Sequence, residues 1–140
     1  VKLMAKIILA SHGELSKGML NSVQMIVGDL ANGIETYSLY PGENPNDYAL
    51  SLKKKISQDD NHYIIICDVK GGSVYNAILQ MCIDEDIDIL SGMNMSMVLE
   101  LVIANHSRGL DIQQIIYSAK EGITLENKKL LNQKIEEEDF

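Results

Sequence analysis

The sequence predicts an α/β fold, a single doubly wound domain built on a mostly parallel sheet of strand order 2-1-3-4. Three observations predict it. Short apolar runs alternate with segments whose apolar residues recur at helical spacing, the connections between them are short, and no internal repeat or long linker divides the 140 residues. A chain of this length with 46% hydrophobic residues buries a core without disulfide or metal staples.

The first apolar run, Ile7 to Ala10, reads as a buried strand ending at Ser11-His12-Gly13. A helix follows, with Leu15, Met19, Val23, Ile26 and Val27 at helical spacing and Gly28 as its stop. Ile34 to Leu39 is the second strand, closed by Pro41-Gly42. Asn44-Pro45 has the form of an N-cap with proline in the first turn, opening a helix that carries Tyr48, Leu52 and Ile56 on one face.

The third strand, Tyr63 to Cys67, is the strongest in the chain and leads into Asp68-Val69-Lys70-Gly71-Gly72-Ser73. From Ser73 a helix turns Ala77, Ile78, Met81 and Cys82 inward, and Ile87 to Leu90 is the fourth strand. Beyond Gly92 a helix is marked by Met97, Val98, Leu101 and Val102. Asp111 caps another, which buries Ile112, Ile115, Ile116 and Ala119. Ile123 to Leu125 is read as an antiparallel edge strand, and residues 126–140 as an acidic tail that is a solvated helix end or disordered. Val1 to Leu3, ahead of Met4, are read as a cloning remnant.

Charge narrows the function. Twenty acidic against 12 basic residues give a net charge of -8, which argues against nucleic acid or an anionic membrane as partner. The apolar runs fall far short of the ~20 residues that span a bilayer, and no signal peptide is visible, so a cytoplasmic location is expected. Cys67 and Cys82 lack metal-ligand spacing and read as reduced core residues. The seven methionines read as core filler, Lys53-Lys54-Lys55 as a solvated helix face, and Asp84-Glu85-Asp86 as solubilising acids.

In a doubly wound sheet the ligand site lies beyond the carboxyl ends of the strands, where the winding direction reverses. For the order 2-1-3-4 that point lies between strands 1 and 3, so His12 and Asp68 are expected to meet there. A carboxylate on one ring nitrogen fixes the imidazole tautomer, leaves a lone pair on the other nitrogen, and stabilises positive charge on the ring as a phosphoryl group arrives. Gly71 and Gly72 let backbone N–H groups approach that anionic group closely, at the positive end of the helix they precede. The Ser73 hydroxyl either caps that helix or binds a phosphoryl oxygen, and Gly13 leaves room for a partner's histidine.

The motifs Ser11-His12-Gly13, Pro41-Gly42-Glu43-Asn44, Asp68 through Ala77, and Gly92-Met93-Asn94-Met95-Ser96-Met97 to Glu100 each follow a strand. Together, in this order and over about the first 125 residues, they resemble the mannose/fructose/sorbose family of phosphotransferase system enzyme IIA proteins. The resemblance implies a phosphotransferase. In it His12 accepts a phosphoryl group from the phosphohistidine of HPr and passes it to a histidine of enzyme IIB, which works with the membrane components IIC and IID in sugar uptake. It implies Asp68 as the partner of His12, Ser73 near the phosphoryl group, a homodimer with C-terminal strands at its interface, and no cofactor or metal. Lys70 departs from the aromatic residue common in the family, and Ser96 from a proline.

Taken singly, Asp68 is also a turn cap and Gly71-Gly72 a tight loop, while His62 and His106 read as ordinary surface residues. Histidine phosphatases share a histidine and glycine after strand 1, but need an arginine just before it and further arginines to clamp phosphate. Here that position is Ser11 and the chain has only Arg108. The phosphotransfer subunit of dihydroxyacetone kinase is a closer alternative, and the Gly71-Gly72-Ser73 segment favours the transporter branch over it. A flavodoxin-like binding module has no phosphate-loop or dinucleotide motif to support it.

Overall fold

The computed structural model describes residues 4–107 and 109–138. The remnant expected at Val1 to Leu3, Arg108, and the last two residues of the acidic tail lie outside them. Four strands, β1 (Lys6–His12), β2 (Glu35–Leu39), β3 (Tyr63–Cys67) and β4 (Ile87–Leu90), form one sheet of order 2-1-3-4 in which every pairing is parallel. Ile7 lies opposite Ile64 and Ala10 opposite Cys67, so β1 and β3 run side by side to the same edge. The helices are α1 (Leu15–Val27), α2 (Pro45–Ser57), α3 (Ser73–Cys82), α4 (Met95–Asn105), α5 (Ile112–Glu121) and α6 (Lys128–Glu138).

The two central strands, β1 and β3, are apolar on both sides because both sides are covered. Ile7, Leu9, Ile64 and Ile66 pack with Val23 of α1, with Val98, Leu101 and Val102 of α4, and with Ile115 and Ala119 of α5. The alternate residues Ile8, Ala10, Ile65 and Cys67 pack with Leu52 and Ile56 of α2 and with Val74, Ala77 and Ile78 of α3. Every residue of β3 has no exposed surface. At roughly 1.5–3 kcal/mol for each large aliphatic side chain taken from water, β3 is the central support of the sheet.

Helix boundaries follow from local chemistry. Asn44 caps α2 by accepting from the Asn46 N–H at 3.0 Å, with Pro45 as first helical residue. Asn94 caps α4 through the Met97 N–H at 3.0 Å, and Asp111 caps α5 through the Gln114 N–H at 3.2 Å. Gly28 ends α1 at φ 57°, where a side chain would be strained, and a 3-10 turn follows to Ala31.

Several sequence expectations need correction. Ile123 to Leu125 form no strand, and Ile123 and Leu125 are exposed, because the segment makes no ladder with β4. Leu15 and Ile26 of α1 are exposed, since the buried stripe of that helix runs through Val23 with Met19, Leu20 and Val27 beside it. Of the two states expected for the tail, residues 128–138 take the solvated helix, α6, with no buried side chain. Met93 and Met97 are core residues, whereas Met25 is exposed. Both thiols are buried and free, and burial pushes Cys67 up to about 12 and Cys82 to about 11.

The charged surface runs are also more specific than solvated faces. Lys53 binds Asp84 at 2.9 Å and the Met81 carbonyl, joining α2 to the end of α3, and Lys55 binds Glu35 of β2 at 2.6 Å. His62, before β3, has Nδ1 2.8 Å from Asp86 and Nε2 2.6 Å from Asp88. Ionised carboxylates only accept, so both bonds require a doubly protonated ring. Burial alone would lower the His62 pKa, but Asp88 and Asp86 together raise it above its ordinary value.

A raised histidine pKa contributes stability that is present below the ordinary value of ~6.5 and is lost as pH rises through the folded value. His62→Ala is therefore expected to be less stable than the parent at pH 5–6, by less than ~1 kcal/mol because the pairs are partly exposed. Urea unfolding at both ends of the range checks this, with the difference shrinking towards pH 9.

Candidate functional site

β1 connects to α1 on one face of the sheet, and β3 connects to α3 on the other. The two adjacent strand ends therefore diverge and open a crevice between them. His12 is the last residue of β1, and Asp68 follows β3 directly. The Asp68 N–H donates to the Ala10 carbonyl at 3.1 Å, which extends the ladder to the aspartate itself.

The two side chains meet as the topology predicts. His12 Nδ1 lies 2.7 Å from Asp68 Oδ2, and the backbone N–H of His12 donates to that same oxygen at 2.8 Å. The other oxygen, Oδ1, accepts from the Val69 N–H at 2.9 Å, so Asp68 also serves as a turn cap. Burial acts to raise the Asp68 pKa, but the bonds from the His12 backbone, the His12 ring and Val69 outweigh it and hold the carboxyl below its ordinary range. A carboxylate accepts only, so Nδ1 carries the proton and the neutral ring presents its lone pair at Nε2.

Ser73 Oγ is 3.0 Å from His12 Nε2. Its hydroxyl donates to that lone pair in the neutral ring. The N-cap of α3 is Gly72, with no side-chain cap, so Ser73 is the first helical residue and the capping role considered for it is not the one it fills. The first backbone bond into α3 runs from the Asn76 N–H to the Gly72 carbonyl at 2.9 Å. The preceding N–H groups of the first turn have no intrahelical acceptor and form the positive end of the helix.

The two glycines serve different ends. Gly71 adopts φ 80°, which a side chain rarely tolerates. Gly72 has an ordinary φ, but a Cβ there would lie 2.8 Å from Val69 Cγ1 and 3.3 Å from the Val69 carbonyl, so glycine permits the loop to turn tightly on Val69 beside the ring. The His12 side chain is 47% exposed and that of Asp68 only 10%, leaving the imidazole within reach of another molecule and its carboxylate sheltered.

All five predicted residues, His12, Asp68, Gly71, Gly72 and Ser73, thus lie at one strand edge. Lys70 is exposed in the same loop, and Ser96 is exposed in the first turn of α4. His106 donates through Nε2 to the Leu30 carbonyl at 2.8 Å and lies away from the crevice, as does His62. Two groups beside the site escaped the sequence reading. Ser11, Ser16 and Ser38 are buried: the Ser16 N–H donates to Ser11 Oγ at 2.7 Å, and Ser16 Oγ donates to the Tyr37 carbonyl at 2.9 Å, binding α1 to the first two strands. Tyr40, Glu14 and Lys17 form a second network. A serine on the inner face of a predicted helix was the available signal for the first; nothing in the spacing marks the second.

A carboxylate-held imidazole whose second ring nitrogen carries a lone pair, beside the N-terminus of a helix, has the chemistry of a histidine that accepts an anionic group. Comparison with known proteins gives the lineage. Residues 6–118 match the family model described as the fructose IIA component of the PTS system, EIIA-man. The chain is 33% identical over 110 residues to the sorbose-specific EIIA component of the PTS from Klebsiella pneumoniae, covering 77% of this chain and 80% of that protein. Among solved structures, it is similar to a PTS IIA protein associated with the fucose utilization operon of Streptococcus pneumoniae, with TM-score 0.79, 26% identity, and coverage of 96% of this chain and 98% of the other. It is also similar to the phosphotransferase system component EIIA of Streptococcus agalactiae, with TM-score 0.73, 28% identity, and coverage of 87% and 97%. The chain belongs to this family of phosphotransferase system IIA components, which are phosphotransfer proteins. Among the described residues, no helix is long and apolar enough to cross a membrane.

Gly72→Ala is expected to shift the loop that leads to Ser73, because the new Cβ would lie 2.8 Å from Val69 Cγ1 and 3.3 Å from the Val69 carbonyl, and that shift alters the surroundings of the His12 ring. A shifted His12 Hε1 resonance, with a drop of about tenfold in the rate of His12 modification, checks it.

Proposed function

We propose that this protein is a phosphocarrier of a sugar phosphotransferase system, accepting a phosphoryl group on His12 Nε2 from phospho-HPr and passing it to a histidine of enzyme IIB. The observation that carries the reading is the 2.7 Å contact of His12 Nδ1 with Asp68, which leaves Nε2 of a half-exposed ring unprotonated, its lone pair shared only with the Ser73 hydroxyl.

In the transfer, the Nε2 lone pair forms a bond to phosphorus as the phosphorus–nitrogen bond of the donor histidine breaks. The Nδ1 proton stays where it is, and the positive charge created on the ring faces the Asp68 carboxylate. Ser73 turns its hydroxyl from Nε2 to an incoming phosphoryl oxygen, and the N-terminus of α3, approached through Gly71 and Gly72, meets the remaining negative charge. The second transfer reverses these steps towards enzyme IIB. IIC and IID then complete sugar uptake, with this chain acting as a homodimer in the cytoplasm as one domain with an acidic C-terminal tail.

Phosphoenolpyruvate with the general phosphotransferase proteins is expected to label the chain once, through an acid-labile, base-stable bond. His12→Ala removes the label. Asp68→Ala retains the site but slows labelling by about 100-fold, the order of loss that follows from a misoriented reacting group. Labelling that survives His12→Ala overturns the reading.

A further inference from the structure

One polar network beside His12 has no part in the transfer just described. Tyr40, the first residue after β2, donates its hydroxyl proton to Glu14 Oε1 at 2.7 Å and accepts from Lys17 Nζ at 2.8 Å. The Lys17 ammonium also lies 5.3 Å from the Tyr40 ring centroid. Glu14 and Lys17 lie at the start of α1, immediately beyond the His12-Gly13 turn. One phenol thereby joins the loop after β2 to the loop after β1.

The same loop is fixed from inside. The Tyr40 N–H donates to Glu43 Oε1 at 2.7 Å, and the Glu43 N–H returns a bond to the Tyr40 carbonyl at 3.1 Å, closing the turn at Pro41-Gly42. The Gly13 N–H donates to the Leu39 carbonyl at 2.7 Å. Between the two loops is an open cleft of about 420 Å³, bordered by His12, Gly13, Leu39, Tyr40, Pro41 and Glu43.

We propose that Tyr40 is a positioning residue for donor recognition: held by Glu14 and Lys17, it sets the wall of the cleft beside the imidazole, and so the affinity for the protein that brings the phosphohistidine. This rests on the reading of His12 as the acceptor and adds to it the residue that governs docking. Two observations favour docking over a plain structural role. The side chains of Glu14 and Lys17 are 71% and 53% exposed, and such exposed contacts add little to fold stability. None of the three has a hydrogen bond to the His12 ring, which is held by Asp68 and Ser73. Their effect therefore falls on the approach of the partner and leaves the reacting nitrogen unchanged.

The test is single-turnover labelling of the full chain by phospho-HPr over a range of donor concentrations. Tyr40→Phe is expected to raise the half-saturating donor concentration about fivefold, the equivalent of one ordinary hydrogen bond, with the limiting rate unchanged. Lys17→Met shifts it in the same direction, and the Tyr40→Phe/Lys17→Met double variant is no worse than the more affected single variant, because both act on one network. An unchanged half-saturation, or a lower limiting rate at unchanged half-saturation, overturns the role of Tyr40. If Tyr40→Phe melts early, Lys17→Met and Glu14→Gln read the same two parameters. Loss of label in His12→Ala together with parent-like Tyr40→Phe rejects the positioning role alone; label that persists in His12→Ala rejects the acceptor reading beneath it.

Discussion

Asp68 Oδ2 accepts two hydrogen bonds from one residue, from the backbone N–H of His12 and from its ring, and the rest of the site is arranged around that double contact. It spans the gap between β1 and β3, the two strands whose connections part to opposite faces of the sheet. The buried pairing of those strands, from Lys6 opposite Tyr63 to Ala10 opposite Cys67, brings the aspartate to the correct height. The hydrophobic core thus fixes the positions of two polar groups at its rim.

The bonding of Asp68 also divides labour between its oxygens. Oδ2 serves His12, and Oδ1 holds the Val69 N–H at the start of the loop that leads to α3. Any shift of that carboxylate is felt both at the histidine and at the helix terminus that presents Ser73. The glycine pair completes the coupling: Gly71 supplies the backbone turn, and Gly72 removes the atom that would otherwise crowd Val69 within that turn.

Much of this was legible in the sequence because it depends on order along the chain. Continuous apolar runs in β1 and β3, with helical spacing between them, imply a covered parallel sheet, and the winding rule then brings His12 to Asp68. What escaped the reading depends on side-chain direction. Leu15 and Ile26 fit the apolar period of α1 but face solvent, and Lys53 and Asp84 look like separate surface charges although folding brings them together. The expected edge strand at Ile123 to Leu125 rested on three residues, too few to declare a pairing partner. Tyr40 carries no signal in the sequence because its two partners lie more than 20 positions earlier in the chain.

The main-chain bond from His12 to Asp68 belongs to the peptide group and survives any change at the imidazole. Asp68 therefore keeps that anchor whatever the state of the ring, and the Val69 N–H holds its other oxygen in place. The base of the site is thus main-chain hydrogen bonding, independent of the side chain it orients, so any change at the imidazole is confined to the imidazole itself.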